Sequence, residues 1–198
     1  MFLLGPAEYF AVNLVGGPVY VEPLTGRVPS ILVVRPMRQG FTTSTVQVSC
    51  GDQIFDTMVG LAASEWVVRF FAWQRWTPEG SPADWDAALA AEPLDTLHSG
   101  EVDFWWGGQQ PTDSVPPEQF ITVGETSLNL PAGSYVAHVI ADDGVRIFVD
   151  DRPVLTRWTR DFVRYDRGSF SVSTGVHRFR VEHFQAQGSS WLQFWIDQ

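Results

Sequence analysis

Lysine is absent from this chain. All thirteen cationic side chains among its 198 residues are arginine, and 23 carboxylates outnumber them, for a formal net charge of −10. That balance excludes a nucleic-acid partner, because phosphate binding rests on a surface of net positive charge. Cysteine is nearly as scarce. Cys50 stands alone, which excludes an intrachain disulfide, a cysteine-rich metal site and a redox pair. Long apolar runs are missing too, and no stretch reaches the roughly 18 residues of a membrane-spanning helix. The apolar start Met1-Phe2-Leu3-Leu4 lacks a basic flank and is broken by Pro6 and Glu8, so an ordinary secretory leader is not expected in this sequence.

What the chain has in quantity is aromatic surface. Nine Trp, fourteen Phe and four Tyr, against only 18% charged residues, supply a sizeable core and exclude a disordered chain. Residues 134–140, 145–149, 169–173, 176–184 and 191–196 alternate apolar with polar types or are rich in β-branched and aromatic ones, the mark of strands. Turn chemistry separates them at regular spacing: Pro131-Ala132-Gly133, Asp142-Asp143-Gly144, Asp150-Asp151-Arg152-Pro153, Thr174-Gly175 and Gln187-Gly188. This rhythm predicts an all-β, antiparallel sandwich or barrel. One short helix is predicted in an insertion, where Ser81-Pro82-Ala83-Asp84 supplies a cap, a first-turn proline and an acid. An Ala-rich run from Trp85 to Ala91 follows, and Pro93 ends it. Residues 1–64 read as a β-rich N-terminal extension or small domain, with strand-like segments at 8–10, 19–21, 31–34 and 42–48. A boundary near 61–64 leaves 65–198 as the sandwich.

Eight of the thirteen arginines lie between Arg146 and Arg180, where pairing with carboxylates across a sheet face is the expected use. His138, His177 and His183 sit on strands without metal-ligand spacing and read as ordinary sheet histidines. Asp150-Asp151 reads as a two-residue hairpin turn with Asp151 at positive φ. Trp105-Trp106 and the Trp191 to Trp195 stretch offer a stacking platform for sugar rings, although core packing is the plainer use in a Trp-rich sandwich.

Asp142 and Asp143 are the most informative pair. Adjacent carboxylates on a tight turn repel unless a cation or a set of donors holds them. The turn is therefore either a binding loop for a hard cation or a solvated bend of the kind Asp and Gly readily form. Two acids on one turn cannot flank a scissile bond from both sides, and no nucleophile elbow or His-paired Ser or Cys is present, so no enzyme activity is expected.

Several blocks occur in the order in which a known module carries them. They are Trp66-Val67-Val68-Arg69-Phe70-Phe71, Val102 to Trp106, Pro116 to Phe120, Leu130 to Tyr135, Asp142-Asp143-Gly144-Val145-Arg146-Ile147, Val149-Asp150, Leu155 to Trp158, Gly175 to Phe184 and Gly188 to Phe194. From about residue 66 to 196 the chain resembles the protective-antigen-type (PA14) module, a β-sandwich family found in bacterial toxins, glycosidases and yeast adhesins. The resemblance implies a PA14-like antiparallel β-sandwich that is non-enzymatic, often sugar-binding and extracellular or cell-surface. In the sugar-binding branch of that family two adjacent aspartates, joined by a cis peptide, hold a Ca2+ ion that ligand hydroxyls also coordinate. Asp142 and Asp143 match those positions. The second loop of that branch commonly offers an Asn, where this chain has Gln185-Ala186-Gln187-Gly188-Ser189-Ser190, and Gln185 carries the same amide oxygen on a longer arm.

The resemblance thus implies Asp142, Asp143 and Gln185 as Ca2+ ligands, with Gln187 and Ser189 beside them for a glycan. The alternative is a structural or assembly subunit of a cell-surface or membrane-associated complex. In that case the sandwich is a protein-interaction scaffold, and the apolar, strand-forming residues 1–64 dock to a partner subunit.

Overall fold

Strands form wherever β-branched and aromatic residues alternate with polar ones, and they make up most of the molecule. The computed structural model describes residues 2–3, 9–15, 19–27, 30–36, 40–73 and 82–198. Two units emerge, residues 1–63 and 64–198. No helix among the described residues is long and apolar enough to cross a membrane.

The first unit holds β1 (Phe2–Leu3), β2 (Tyr9–Val15), β3 (Val19–Glu22), β4 (Thr25–Arg27), β5 (Ser30–Ile31), β6 (Val33–Pro36), β7 (Gly40–Cys50) and β8 (Gln53–Ala63). A four-stranded sheet runs β4-β2-β7-β8, with β1 paired to β5 and β3 to β6. Alternate positions of β7 are buried (Ser44, Val46, Val48, Cys50), and the last three join Phe10, Val21 and Leu32 in a small core. The small apolar residues 61–63, where a boundary is predicted, are the last part of strand β8. β8 is an edge strand that leaves Ile54, Phe55 and Met58 exposed.

The second unit holds β9 (Trp66–Ala72), helix α1 (Pro82–Leu89), β10 (Asp95–Ser99), β11 (Val102–Gly107), β12 (Phe120–Leu130), β13 (Gly133–Asp142), β14 (Gly144–Val149), β15 (Arg152–Arg157), β16 (Arg164–Val172), β17 (Gly175–Gln185) and β18 (Ser190–Asp197). They form an antiparallel sandwich of a six-stranded sheet, β10-β9-β12-β17-β14-β15, and a four-stranded sheet, β11-β18-β13-β16. Aromatic pairs bridge the layers: Trp66 to Phe194 at 5.5 Å, Phe70 to Trp106 at 5.8 Å and Phe170 to Phe179 at 5.7 Å between ring centroids. Around them Val68, Phe120, Val139, Ile147, Val181 and Leu192 are fully buried, each worth about 1.5–3 kcal/mol in area removed from water.

Residues 120–130 show no clean alternation in the sequence because Phe120, Ile121, Thr122, Val123 and Gly124 are all buried. They form β12, which lies between β9 and β17 within the six-stranded sheet. The predicted helix is present as α1, and Ser81, its expected cap, lies outside the described residues. Trp85 of α1 packs against Trp73 and Trp158, with centroids 5.2 and 4.3 Å away. The arginine-rich region pairs across strands as expected: Arg146 to Glu182 at 2.6 Å, Arg157 to Asp166 at 2.6 Å, and Arg178 to Glu125. At the β14–β15 hairpin both Asp150 (φ 50°) and Asp151 (φ 60°) are left-handed, as a two-residue turn matched to strand twist requires. The Asp150 carboxylate accepts from the Arg178 amide at 2.9 Å.

Three connections cross from one sheet to the other near one another. β13 passes to β14 through Asp143, β15 to β16 through residues 158–163, and β17 to β18 through residues 186–189. Gly144 makes the first crossing possible, since a Cβ there would lie 2.1 Å from the Phe184 ring. That ring is wedged between Trp73 and Trp158, at 5.2 and 4.8 Å, and cannot retreat. Gly144→Ala is therefore expected to destabilise the protein by roughly 1–3 kcal/mol, read as a lowered thermal midpoint; an unchanged midpoint would contradict this packing.

Candidate functional site

The three crossings enclose a cavity of about 500 Å³ lined by Asp142, Asp143, Arg160, Asp161, Phe162, Gln187, Gly188 and Ser189. Four of the five residues expected from the sequence, Asp142, Asp143, Gln187 and Ser189, are thus brought together. The fifth, Gln185, is fully buried and is not among the lining residues. Its Nε2 donates to the carbonyl oxygens of Gly188 at 3.3 Å and Ser189 at 3.0 Å, which folds the 186–189 loop back on itself. Its Oε1 is buried with no donor among the described residues.

Asp143 ties the loops together. Only 3% of it is exposed, and its Oδ1 accepts from the Asp161 amide at 3.2 Å while its Oδ2 accepts from the Ala186 amide at 2.8 Å. One carboxylate thereby satisfies backbone donors from both other crossings. Burial pushes its carboxyl above the usual range, although those amides and the nearby Arg160 pull the other way. The Asp142–Asp143 peptide bond is cis.

Asp142 is the opposite case. Among the described residues no hydrogen bond reaches its carboxylate, and burial, followed by the charge of Asp143, pushes its pKa up to about 6. Its backbone is held firmly all the same. The carbonyl of Asp142 accepts from His183 Nε2 at 2.8 Å, and His183 is fully buried. A carbonyl can only accept, so Nε2 carries the proton and Nδ1 faces the Thr122 hydroxyl at 3.4 Å. Burial lowers the pKa of His183 to about 4, which keeps the ring neutral at pH 7. The Gly188 amide donates to Glu118 Oε1 at 3.0 Å, and Arg160 donates to Gln187 Oε1.

Sequence reasoning does not find the 158–163 contribution. Arg160, Asp161 and Phe162 carry no motif and no turn signature, and only the sheet crossing brings them to the acid pair. The 87% exposure of Phe162, an aromatic ring left in water at the cavity wall, distinguishes it in the structure. His183 reads as an ordinary sheet histidine in the sequence; it lies fully buried on β17, and its bond to the Asp142 carbonyl also positions the acid pair. Of the tryptophans, Trp106 packs against Phe70 and Phe120 in the core, whereas Trp105 is exposed.

Cation-free protein should reveal the cost of this arrangement. The folded state raises the Asp142 pKa from an ordinary 3.8 to about 6, so its contribution is fully present below pH 4 and lost as pH rises through 6. His183, lowered to about 4, acts with opposite sign across the same range, so only a difference isolates Asp142. In chelator, Asp142→Asn is expected to gain thermal stability over the parent as pH rises from 4 to 7, with little difference at pH 3.5. A pH-independent gap would contradict it.

The family model of the PA14 domain matches residues 81–196. Among solved structures, the PA14 domain of the MpAFP antifreeze protein superposes with a TM-score of 0.58 at 17% identity, over 69% of this chain and 85% of that one. The PA14 sugar-binding domain from an RTX adhesin gives 0.56 at 20% identity, over 69% and 90%. An anti-sigma factor domain-containing protein from Clostridium clariflavum gives 0.54 at 11% identity, over 99% and 77%. At such identities the likeness is one of fold. No curated protein matches the sequence. The matched segment runs from the start of α1 into β18, more than half of the chain, and on that match the chain belongs to the PA14 domain family.

Proposed function

We propose that this chain is a non-enzymatic carbohydrate-binding module of the extracellular or cell-surface side, which seats a glycan at the Asp142–Asp143 cavity with the help of Ca2+. The observation that carries the reading is the Asp142 carboxylate, half-buried beside a second acid and, among the described residues, without a hydrogen-bond donor. Such a group is held ionised at neutral pH by a bound cation.

The residues present suit Ca2+. Every candidate donor lining the cavity is oxygen: the Asp142 and Asp143 carboxylates and carbonyls of the 186–189 loop, whereas Gln185, the other expected ligand, is not among the lining residues. No three carboxylate or imidazole side chains among the described residues cluster as a metal site, so amide, carbonyl and ligand hydroxyl oxygens would complete the roughly six to eight that Ca2+ takes. Bound there, Ca2+ would supply positive charge and open coordination positions for vicinal hydroxyls. Asp143, fixed by two loop amides, sets the orientation of the acid pair, and Phe162 offers an apolar face to a sugar ring. The likeness to a domain described as sugar-binding supports the same reading. Against catalysis, Asp142 and Asp143 share one turn, the third acid of the lining, Asp161, accepts from the Phe162 amide and pairs with Arg164, and Glu118 is engaged with the Gly188 amide.

A glycan array probed with Ca2+ and then with chelator tests this reading. Chelator-sensitive binding is expected, together with its loss in Asp142→Asn, which removes charge without removing a hydrogen bond. Absence of any chelator-sensitive signal in the parent protein would overturn it.

A second reading is favoured by β8, an edge strand of its sheet among the described residues, where Ile54, Phe55 and Met58 are exposed. An open apolar edge of this kind pairs readily with another chain, which suits an assembly subunit anchored through residues 1–63. Ile54→Lys with Met58→Lys is expected to release a co-purifying partner subunit in the native host without lowering thermal stability. Unchanged assembly would argue against it.

A further inference from the structure

A line of side chains runs from the acid cavity to the edge of the four-stranded sheet. Register places Asp142 of β13 opposite Trp191 of β18, and Trp191 opposite Trp105 of β11. Residues paired across antiparallel strands project from the same face. The alternate positions Ala141 and Leu192 are fully buried, so Asp142, Trp191 and Trp105 form one row on the outside of the sheet. The two indole centroids are 6.1 Å apart, and Trp105, on the edge strand, is 74% exposed. In the next row along the strands, Gln193 stands opposite Asp103, which sets an amide and an exposed carboxylate beside the rings.

This pairing of surfaces fits a particular chemistry. A pyranose presents an apolar C–H face and a rim of hydroxyls; flat rings take the first, and amide or carboxylate oxygens take the second. The net charge of −10 disfavours an anionic chain. Two strand spacings of about 4.8 Å separate Asp142 from Trp105, too far for one sugar residue at the cavity to reach the outer indole. The row is continuous with the cavity because Asp142 belongs to both.

We propose that the cavity is one end of an extended site, and that it takes a neutral glycan chain of three or more residues. One residue sits at Asp142–Asp143, and its neighbours stack on Trp191 and then Trp105. This rests on the carbohydrate reading of the cavity and adds to it the length and charge class of the ligand.

The test uses the full chain in Ca2+ on an array that prints neutral monosaccharides both alone and as the ends of homologous chains of two to four residues. The parent is expected to favour the longer chains over the matching monosaccharide. Trp105→Ala should reduce chain binding about tenfold, the scale of one well-placed ring contact, and leave the monosaccharide signal unchanged. Trp105→Phe, which keeps a ring, should retain most of it, and thermal midpoints of all three proteins should agree because the side chain lies outside the core. Equal binding of chains by parent and Trp105→Ala, with chelator-sensitive monosaccharide binding intact, overturns the extended site and leaves the cavity reading standing. That outcome is also the one expected if a protein partner occupies the rings. Chain binding that depends on Trp105 but survives chelator and Asp142→Asn overturns the link between row and cavity. No glycan binding by the parent overturns both.

Discussion

One carboxylate organises the end of the sandwich where the candidate site lies. Asp143 accepts backbone hydrogen bonds from Asp161 and Ala186, residues of two loops that are separated in sequence and that each cross between sheets. Charge-assisted bonds to backbone amides are among the stronger ones available to a protein, and these two are sheltered from water. Remove that acceptor and each loop keeps an amide with no partner, at about 1–3 kcal/mol each if they stay buried. The cavity exists because three crossings converge on this group.

The neighbouring acid follows a different logic. Asp142 is fixed through its carbonyl by a neutral, buried His183, while its carboxylate has no hydrogen bond among the described residues. One aspartate thus serves the architecture, and the carboxylate of the other is left without a donor among the described residues. Arg157 lies close enough to favour the charged form of Asp142, but burial and the charge of Asp143 outweigh it. A chain with net charge −10 adds a background field that attracts cations to such a pocket.

Much of this was open to reading in the sequence, and the exceptions have physical causes. Strands with one wet face, such as β14 and β18, announce themselves by alternation. β12 does not, because both of its faces are covered at Phe120 to Gly124. The acid pair is visible because two adjacent aspartates before a glycine are an uncommon turn. Residues 158–163 are invisible to the same method, since nothing in Trp158-Thr159-Arg160-Asp161-Phe162-Val163 signals its neighbours; sheet topology alone carries them to Asp143. Gln185 illustrates an intermediate case: the residue belongs to the expected loop, yet its amide nitrogen is used to shape that loop, a role that depends on burial and not on composition.

The central claim is that Asp142 and Asp143 together form the seat of a cation that a ligand can share. A high-resolution crystal structure grown in Ca2+ tests it most directly. Density is expected for an ion within about 2.3–2.6 Å of oxygens from both carboxylates, with further oxygens from the 186–189 loop. Carboxylates that point apart into solvent, with no ion between them at saturating Ca2+, would contradict it.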